Sequence, residues 1–271
     1  MNNKIVNILV GGKFGDFIIA LYGVRGYCSA NNCKANVYLI DIGWEYGIDN
    51  VYRELYNILI GQDYINKFEI LPKYAYHLDP IQTPSQNSSI QIFDKRLIEE
   101  GYIFNDYITS SLLYKKCWFE IYSHKYDFTI TSPTSWIKHN KINNDFIGKV
   151  IVHRKHSPER FNPTFPYEEL IDKYSDSLVF VSTKRQDYEN FKYTSKIPYY
   201  EVKDIDDWFT IINSCSMFVG NLTGPVTIAE ALEKLRIVEL PHNGDMYHWM
   251  GAETYTENLK WYLTDKINNL I

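Results

Sequence analysis

Short apolar runs alternate with longer stretches of helical spacing along most of this chain, and that rhythm predicts an α/β protein. Ile5 to Val10 (IVNILV) is rich in β-branched residues and ends at Gly11-Gly12, as a buried strand would. Phe17 to Ala30 has the apolar spacing of a helix, Ala35 to Ile40 of a strand, and Val51 to Ile60 of a helix closed by Gly61. Phe68 to Leu71 is a third strand, stopped by Pro72. This β-α-β-α-β order implies a parallel sheet with right-handed crossovers. From Lys73 to Asn105 the pattern is irregular, with Pro80, Pro84 and a Ser-Gln-Asn-Ser-Ser run, and predicts a long surface loop. A helix is expected within Tyr107 to Tyr122, and a strand over Phe128 to Thr131.

The second half alternates more clearly. Strands are predicted over Lys149–His153, Leu178–Ser182, Tyr199–Val202, Met217–Gly220 and Arg236–Leu240. Helices are predicted over Pro166–Tyr174, Arg185–Phe191, Ile205–Ser214 and Pro225–Lys234, with a last one from about Thr256 to Asn269. The polar stretch Asn140–Gly148 marks a join. The expected organisation is therefore two Rossmann-type lobes, 1–145 and 146–271, with parallel sheets facing across a cleft and the last helix packing back on the first lobe. Ligands of such sheets gather at the carboxyl ends of the strands.

Composition narrows the class. Of 271 residues, 45% are hydrophobic, enough for a sizeable core, and 23% are charged. A formal net charge of −5 gives no global pull towards nucleic acid, though it leaves room for a local basic patch. The four cysteines (Cys28, Cys33, Cys117, Cys215) show no C-x-x-C spacing and predict reduced thiols in a cytoplasmic protein. No apolar stretch approaches the roughly 20 residues of a membrane span, and the run before Gly11 is too short for a signal-peptide core.

Three loops carry candidate chemistry. In the first, Gly11-Gly12-Lys13-Phe14-Gly15-Asp16, glycines let a strand turn sharply into a helix. The pattern is neither G-x-G-x-x-G nor a P-loop. Gly12, Lys13 and Gly15 would shape an acceptor-side loop. Asp16 suits a general base, but the spacing alone favours a helix cap. In the second loop, His153 to Arg160, the cations Arg154, Lys155 and Arg160 follow a strand and can neutralise phosphate; a solvated polar loop has the same composition. In the third, Asn221, Thr223, Gly224 and Thr227 lie between a strand and a helix that begins with Pro225, where free N–H groups and hydroxyls suit phosphate or sugar. Asp187 is placed to hold a ribose, or to sit in a helix's solvated first turn. His242, His248 and Trp249 follow the last strand and could meet a ligand. Asp204-Ile205-Asp206 has the letters of a metal motif but begins a helix, so no metal or other cofactor is expected.

Taken together, these residues resemble the bacterial lipopolysaccharide heptosyltransferase family, glycosyltransferase family 9, which has the GT-B fold. The opening strand, glycine turn and Gly15-Asp16 pair match the family's start, and the resemblance implies that Asp16 is the base for the acceptor hydroxyl. Arg160, before Phe161-Asn162-Pro163, falls where the family has a Lys near the donor phosphates. Thr223-Gly224 falls in the family's donor loop, but Leu222 stands where the family has Asp and Thr227 where it has His. ADP-heptose specificity is therefore not implied. The resemblance implies a metal-independent transferase moving a sugar from a nucleotide diphosphate to a glycan or other hydroxyl-bearing acceptor. A viral-type DNA-base glycosyltransferase, a nucleotide-sugar epimerase of the same fold and a non-catalytic binding protein are the alternatives.

Overall fold

The computed structural model describes residues 4–10, 13–41, 44, 47–78, 90–92, 95–99, 101, 103–105, 118–129, 135–157, 161–162 and 165–239. The chain divides into two compact units, Met1–Lys138 and His139–Ile271. The division falls ahead of the polar stretch because residues 135–138 are tied into unit 1. The indole N–H of Trp136 donates to the Ile18 carbonyl at 2.9 Å, and Gln62 brackets Lys138 through both its amide groups. After the division, Asn213 donates to the carbonyls of His139 and Lys141, holding that segment to unit 2.

Unit 1 opens with β1 (Lys4–Val10), α1 (Phe14–Ala30), β2 (Cys33–Leu39), α2 (Ile48–Leu59) and β3 (Ile65–Ile70), the expected order. In α1 every residue from Phe17 to Val24 is buried, so the helix is enclosed rather than amphipathic. Its glycines make that possible: a Cβ on Gly23 would lie 2.5 Å from the Tyr122 ring. That ring belongs to α4 (Trp118–Tyr126), which begins inside the range 107–122 expected to hold a helix and runs past it; residues 107–117 lie outside the described residues.

Two expectations for this unit change. The stretch 73–105 is not simply a loop. It holds an antiparallel pair, β4 (Tyr76–Leu78) with β5 (Ile90–Ile92), then α3 (Lys95–Glu99) and β6 (Ile103–Asn105). β6 pairs in parallel with the carboxyl end of β1, giving the order β3-β2-β1-β6. Strands of three residues are too short to reveal alternation in a sequence. Phe128 and Thr129 form no strand; the Phe128 ring instead lies edge-on to Tyr22 beneath α1. Residues 130–131 lie outside the described residues.

Unit 2 runs β7 (Val150–His153), α5 (Tyr167–Tyr174), β8 (Leu178–Ser182), α6 (Arg185–Glu189), β9 (Tyr199–Glu201), α7 (Ile205–Ser214), β10 (Met217–Asn221), α8 (Gly224–Ala231) and β11 (Arg236–Glu239). All its strand pairs are parallel, in the order β11-β10-β7-β8-β9. Val150, Val152, Phe180 and Val219 on the sheet bury against Leu170 and Ile171 of α5, the continuous apolar runs that a sheet covered on both faces requires. The predicted last helix lies outside the described residues. Among those described, no helix is long and apolar enough to cross a membrane.

Each unit is thus a Rossmann-type α/β layer with its first strand in mid-sheet. The strand order reverses beside β1 in unit 1, and between β7 and β10 in unit 2. Such switch points open a crevice at the strands' carboxyl ends, which here are Val10, His153 and Asn221.

Candidate functional site

The loop after β7 is held from three directions. Glu239, at the carboxyl end of β11 and fully buried, accepts from Arg154 Nε at 2.8 Å and Nη2 at 2.6 Å. Asn221, at the carboxyl end of β10, accepts the Lys155 N–H at 3.1 Å and donates to the Lys155 carbonyl at 3.0 Å. Asp187, in α6, accepts the His156 N–H at 2.9 Å, and its other oxygen accepts from the Ser182 hydroxyl at 2.7 Å. Asn221 and Asp187 thus fix the backbone at residues 155 and 156, and Glu239 fixes the side chain of Arg154 beside them. The Lys155 side chain is exposed, and no carboxylate among the described residues pairs with its ammonium.

His153 ends β7. Its Nδ1–H donates to the Val181 carbonyl at 2.8 Å, which leaves Nε2 as an acceptor, and its ring lies edge-on to Trp208. Burial pushes its pKa down to about 4, overriding the hydrogen bond to Val181 and the charge of Asp187, so the ring is neutral near pH 7.

The third loop is more inward-looking than its sequence suggests. The Thr223 hydroxyl donates to the Asn221 carbonyl at 3.1 Å, and the Thr227 hydroxyl to the Gly224 carbonyl at 2.6 Å. Their protons are therefore committed within the loop. What α8 offers a ligand is what remains of its first-turn N–H groups, since Pro225 has none and the Val226 N–H donates to the Thr223 carbonyl at 3.1 Å. Gly220, on β10, faces β7 so closely that a Cβ would lie 2.4 Å from the His153 carbonyl oxygen.

In unit 1, Asp16 lies in the first turn of α1 and its carboxylate accepts the Lys13 N–H at 3.1 Å. The helix begins at Phe14, so Gly15 is its second residue rather than part of the preceding loop. Asp204 is the N-cap of α7, accepting from the Asp207 N–H at 2.7 Å, and Asp206 pairs with Lys141. No group of three or more His, Cys, Asp or Glu among the described residues is placed to hold a metal ion. Gly12, Arg160, His242, His248 and Trp249 lie outside the described residues. In unit 2, Arg154, Lys155, Asp187, Asn221, Thr223, Gly224 and Thr227 are linked directly or through one another's backbones. Sequence reasoning missed Glu239 and His153. The signal for Glu239 was present: a carboxylate inside the apolar run RIVEL must find a partner if the strand is buried.

No protein-family model matches the chain, and no curated protein matches it in sequence. Solved structures do match it. The E. coli heptosyltransferase WaaC, solved with ADP-2-deoxy-2-fluoro heptose, aligns with a TM-score of 0.55 at 9% identity, over 97% of this chain and 99% of that one. A glycosyl transferase family 9 structure from Veillonella parvula gives 0.52 at 12%, over 88% and 81%. The fold is GT-B-like. The iron-containing dodecameric glycosyltransferase TibC of enterotoxigenic E. coli shares this GT-B-like core, with a TM-score of 0.54 at 10% identity. The match covers 88% of this chain, which spans only 59% of TibC. Within the GT-B-like frame, the moored loop and α8 occupy the crevice of unit 2, and Asp16 follows the first strand of unit 1.

Proposed function

We propose that the protein is a glycosyltransferase that takes a sugar from a nucleotide diphosphate bound on unit 2 and transfers it to an acceptor hydroxyl, without a metal. The observation that carries this reading is the preorganised loop at the switch point of unit 2, where the Lys155 ammonium, paired with no carboxylate among the described residues, extends from a backbone fixed by Asn221 and Asp187. A cation on a fixed backbone and helix N–H groups stabilise charge as it develops. The fold adds support, because WaaC has been solved with ADP and with an ADP-sugar analogue. Arg160, five residues before Phe165, completes the cationic set in this reading.

In the reaction, the acceptor oxygen bonds to the anomeric carbon as the bond from that carbon to the diphosphate oxygen breaks. Asp16 takes the hydroxyl proton, with Gly12, Lys13 and Gly15 shaping the acceptor side. Negative charge collects on the departing diphosphate, where Lys155 and the first-turn N–H groups of α8 stabilise it. Arg154, through Nε and Nη2, holds the loop together with Asn221 and Asp187, whose side-chain polar atoms are engaged by protein groups. Thr223, Gly224 and Thr227 present the turn into α8. The partners are a nucleotide sugar and a glycan or similar acceptor, and the proposed location is the cytoplasm.

Asp16→Asn is a clean test because the Asn amide oxygen can still accept the Lys13 N–H that the Asp16 carboxylate accepts, so the fold is kept. With a panel of nucleotide sugars and glycan acceptors, turnover should fall by roughly 10²–10⁴ while donor affinity stays the same. A chelator should leave wild-type transfer unchanged. Undiminished turnover by the variant would remove Asp16 from the chemistry, and loss of activity on chelation would remove the metal-free mechanism.

A further inference from the structure

We propose that Glu239 is a positioning residue for donor binding: through Arg154 and Asn162 it sets both ends of the loop that carries Lys155. The inference rests on the reading that Lys155 meets the donor phosphates. Glu239 is fully buried, and a carboxylate there is retained only when its oxygens are saturated with donors. They are. Oε1 accepts from Arg154 Nη2 at 2.6 Å and from the Asn162 N–H at 2.7 Å; Oε2 accepts from Arg154 Nε at 2.8 Å and from the Tyr167 hydroxyl at 3.0 Å. The fork of Arg154 fits the two oxygens as a bidentate pair. Its guanidinium also lies 3.8 Å from the centre of the Phe161 ring.

One side chain at the end of β11 therefore grips the loop where it leaves β7, again where it reaches residues 161–162, and finally at the start of α5. Lys155 lies between the first two grips. Asn221 fixes its peptide groups but not the direction of the segment that follows. The charge of Arg154, which its sequence position offers to phosphate, is matched instead by Glu239. The cationic contact passes to Lys155, and Glu239 acts on it without touching a ligand.

The test uses the full chain and the nucleoside diphosphates ADP, UDP, GDP and CDP, each beside its nucleoside, titrated by calorimetry into wild type, Glu239→Gln, Arg154→Lys, Lys155→Ala and the Glu239→Gln/Lys155→Ala double variant. Arg154→Lys keeps the charge but loses the fork, and serves if Glu239→Gln does not fold. Expected is a loss of about 10-fold or more in diphosphate affinity with little change for the nucleoside, and a double variant no weaker than Lys155→Ala alone. A purely structural role would lower the unfolding temperature yet leave the ratio of diphosphate to nucleoside affinity unchanged, and that result overturns the proposal. So does a loss in Lys155→Ala that the folded Glu239 and Arg154 variants fail to share; the donor reading then survives. If wild type binds no nucleoside diphosphate, the donor reading falls and the role of Glu239 falls with it.

Discussion

Burial decides the protonation of His153, and through it the response of unit 2 to acid. Its pKa is depressed from 6.5 to about 4 in the folded chain. Between those values the unfolded chain binds the proton and the folded one does not, so stability falls as pH drops through this window and is whole above it. The loss from this one ring amounts to about 3 kcal/mol once both states would be charged. Urea unfolding followed from pH 6.5 to about 4 should therefore show a steeper decline for wild type than for His153→Asn, whose amide N–H takes the place of Nδ1 opposite the Val181 carbonyl. Equal slopes would mean that His153 is not held neutral. At this scale the sequence marked most of the polar residues that matter without revealing what they do. Asn221 was legible as a polar residue at a strand's end; that its amide closes on a peptide 66 positions away was not. Asp187 was visible as an acid in a helix's first turn, but its two partners come from Ser182 and from another loop. Asp16 shows both sides of the ambiguity that its spacing carried, since it completes the cap of α1 and stands just beyond the carboxyl end of β1.

Among elements, the close approach of β10 to β7 is the most exacting contact. Gly220 pairs with His153 across that ladder, and the atom its missing Cβ would strike is backbone, which cannot swing aside as a side chain can. Gly220→Ala should cost about 1–3 kcal/mol, the range for forcing an extra carbon into a packed core, read as a lower urea midpoint. A wild-type midpoint would show that the two strands can part at no cost. Most elements longer than four residues were legible because their apolar runs are bounded by glycine, proline or polar residues, as in KVIVH and LVFVS. Those missed were short and defined by their neighbours. β6 exists as a strand because the open edge of β1 pairs with it, and nothing within its three residues announces that. α1 was read as a helix and is one, though with Phe17 through Val24 all buried it has no polar stripe over that stretch to say which face meets the core.

For the whole molecule, the alternation of strand and helix sufficed to anticipate two parallel α/β layers, because βαβ crossovers admit one hand and few orders. It could not place the division between them, since Ser135-Trp136-Ile137-Lys138 belongs to no strand or helix and nothing local says which unit its apolar pair packs on. Their attachments are long-range: Arg25 donates to the Ser135 carbonyl at 2.7 Å, the Tyr64 hydroxyl to the Trp136 carbonyl at 2.9 Å, and Trp136 lies edge-on to Tyr22. Anyone wishing to prepare the first half by itself should therefore set the scissors after Lys138. A piece stopping at residue 134 would forfeit an indole that is almost wholly enclosed, at a cost of about 3–5 kcal/mol, a large part of what holds a small domain together. The longer piece should give a cooperative melt and the shorter a shallow one. Four residues at the edge of the string are the knot.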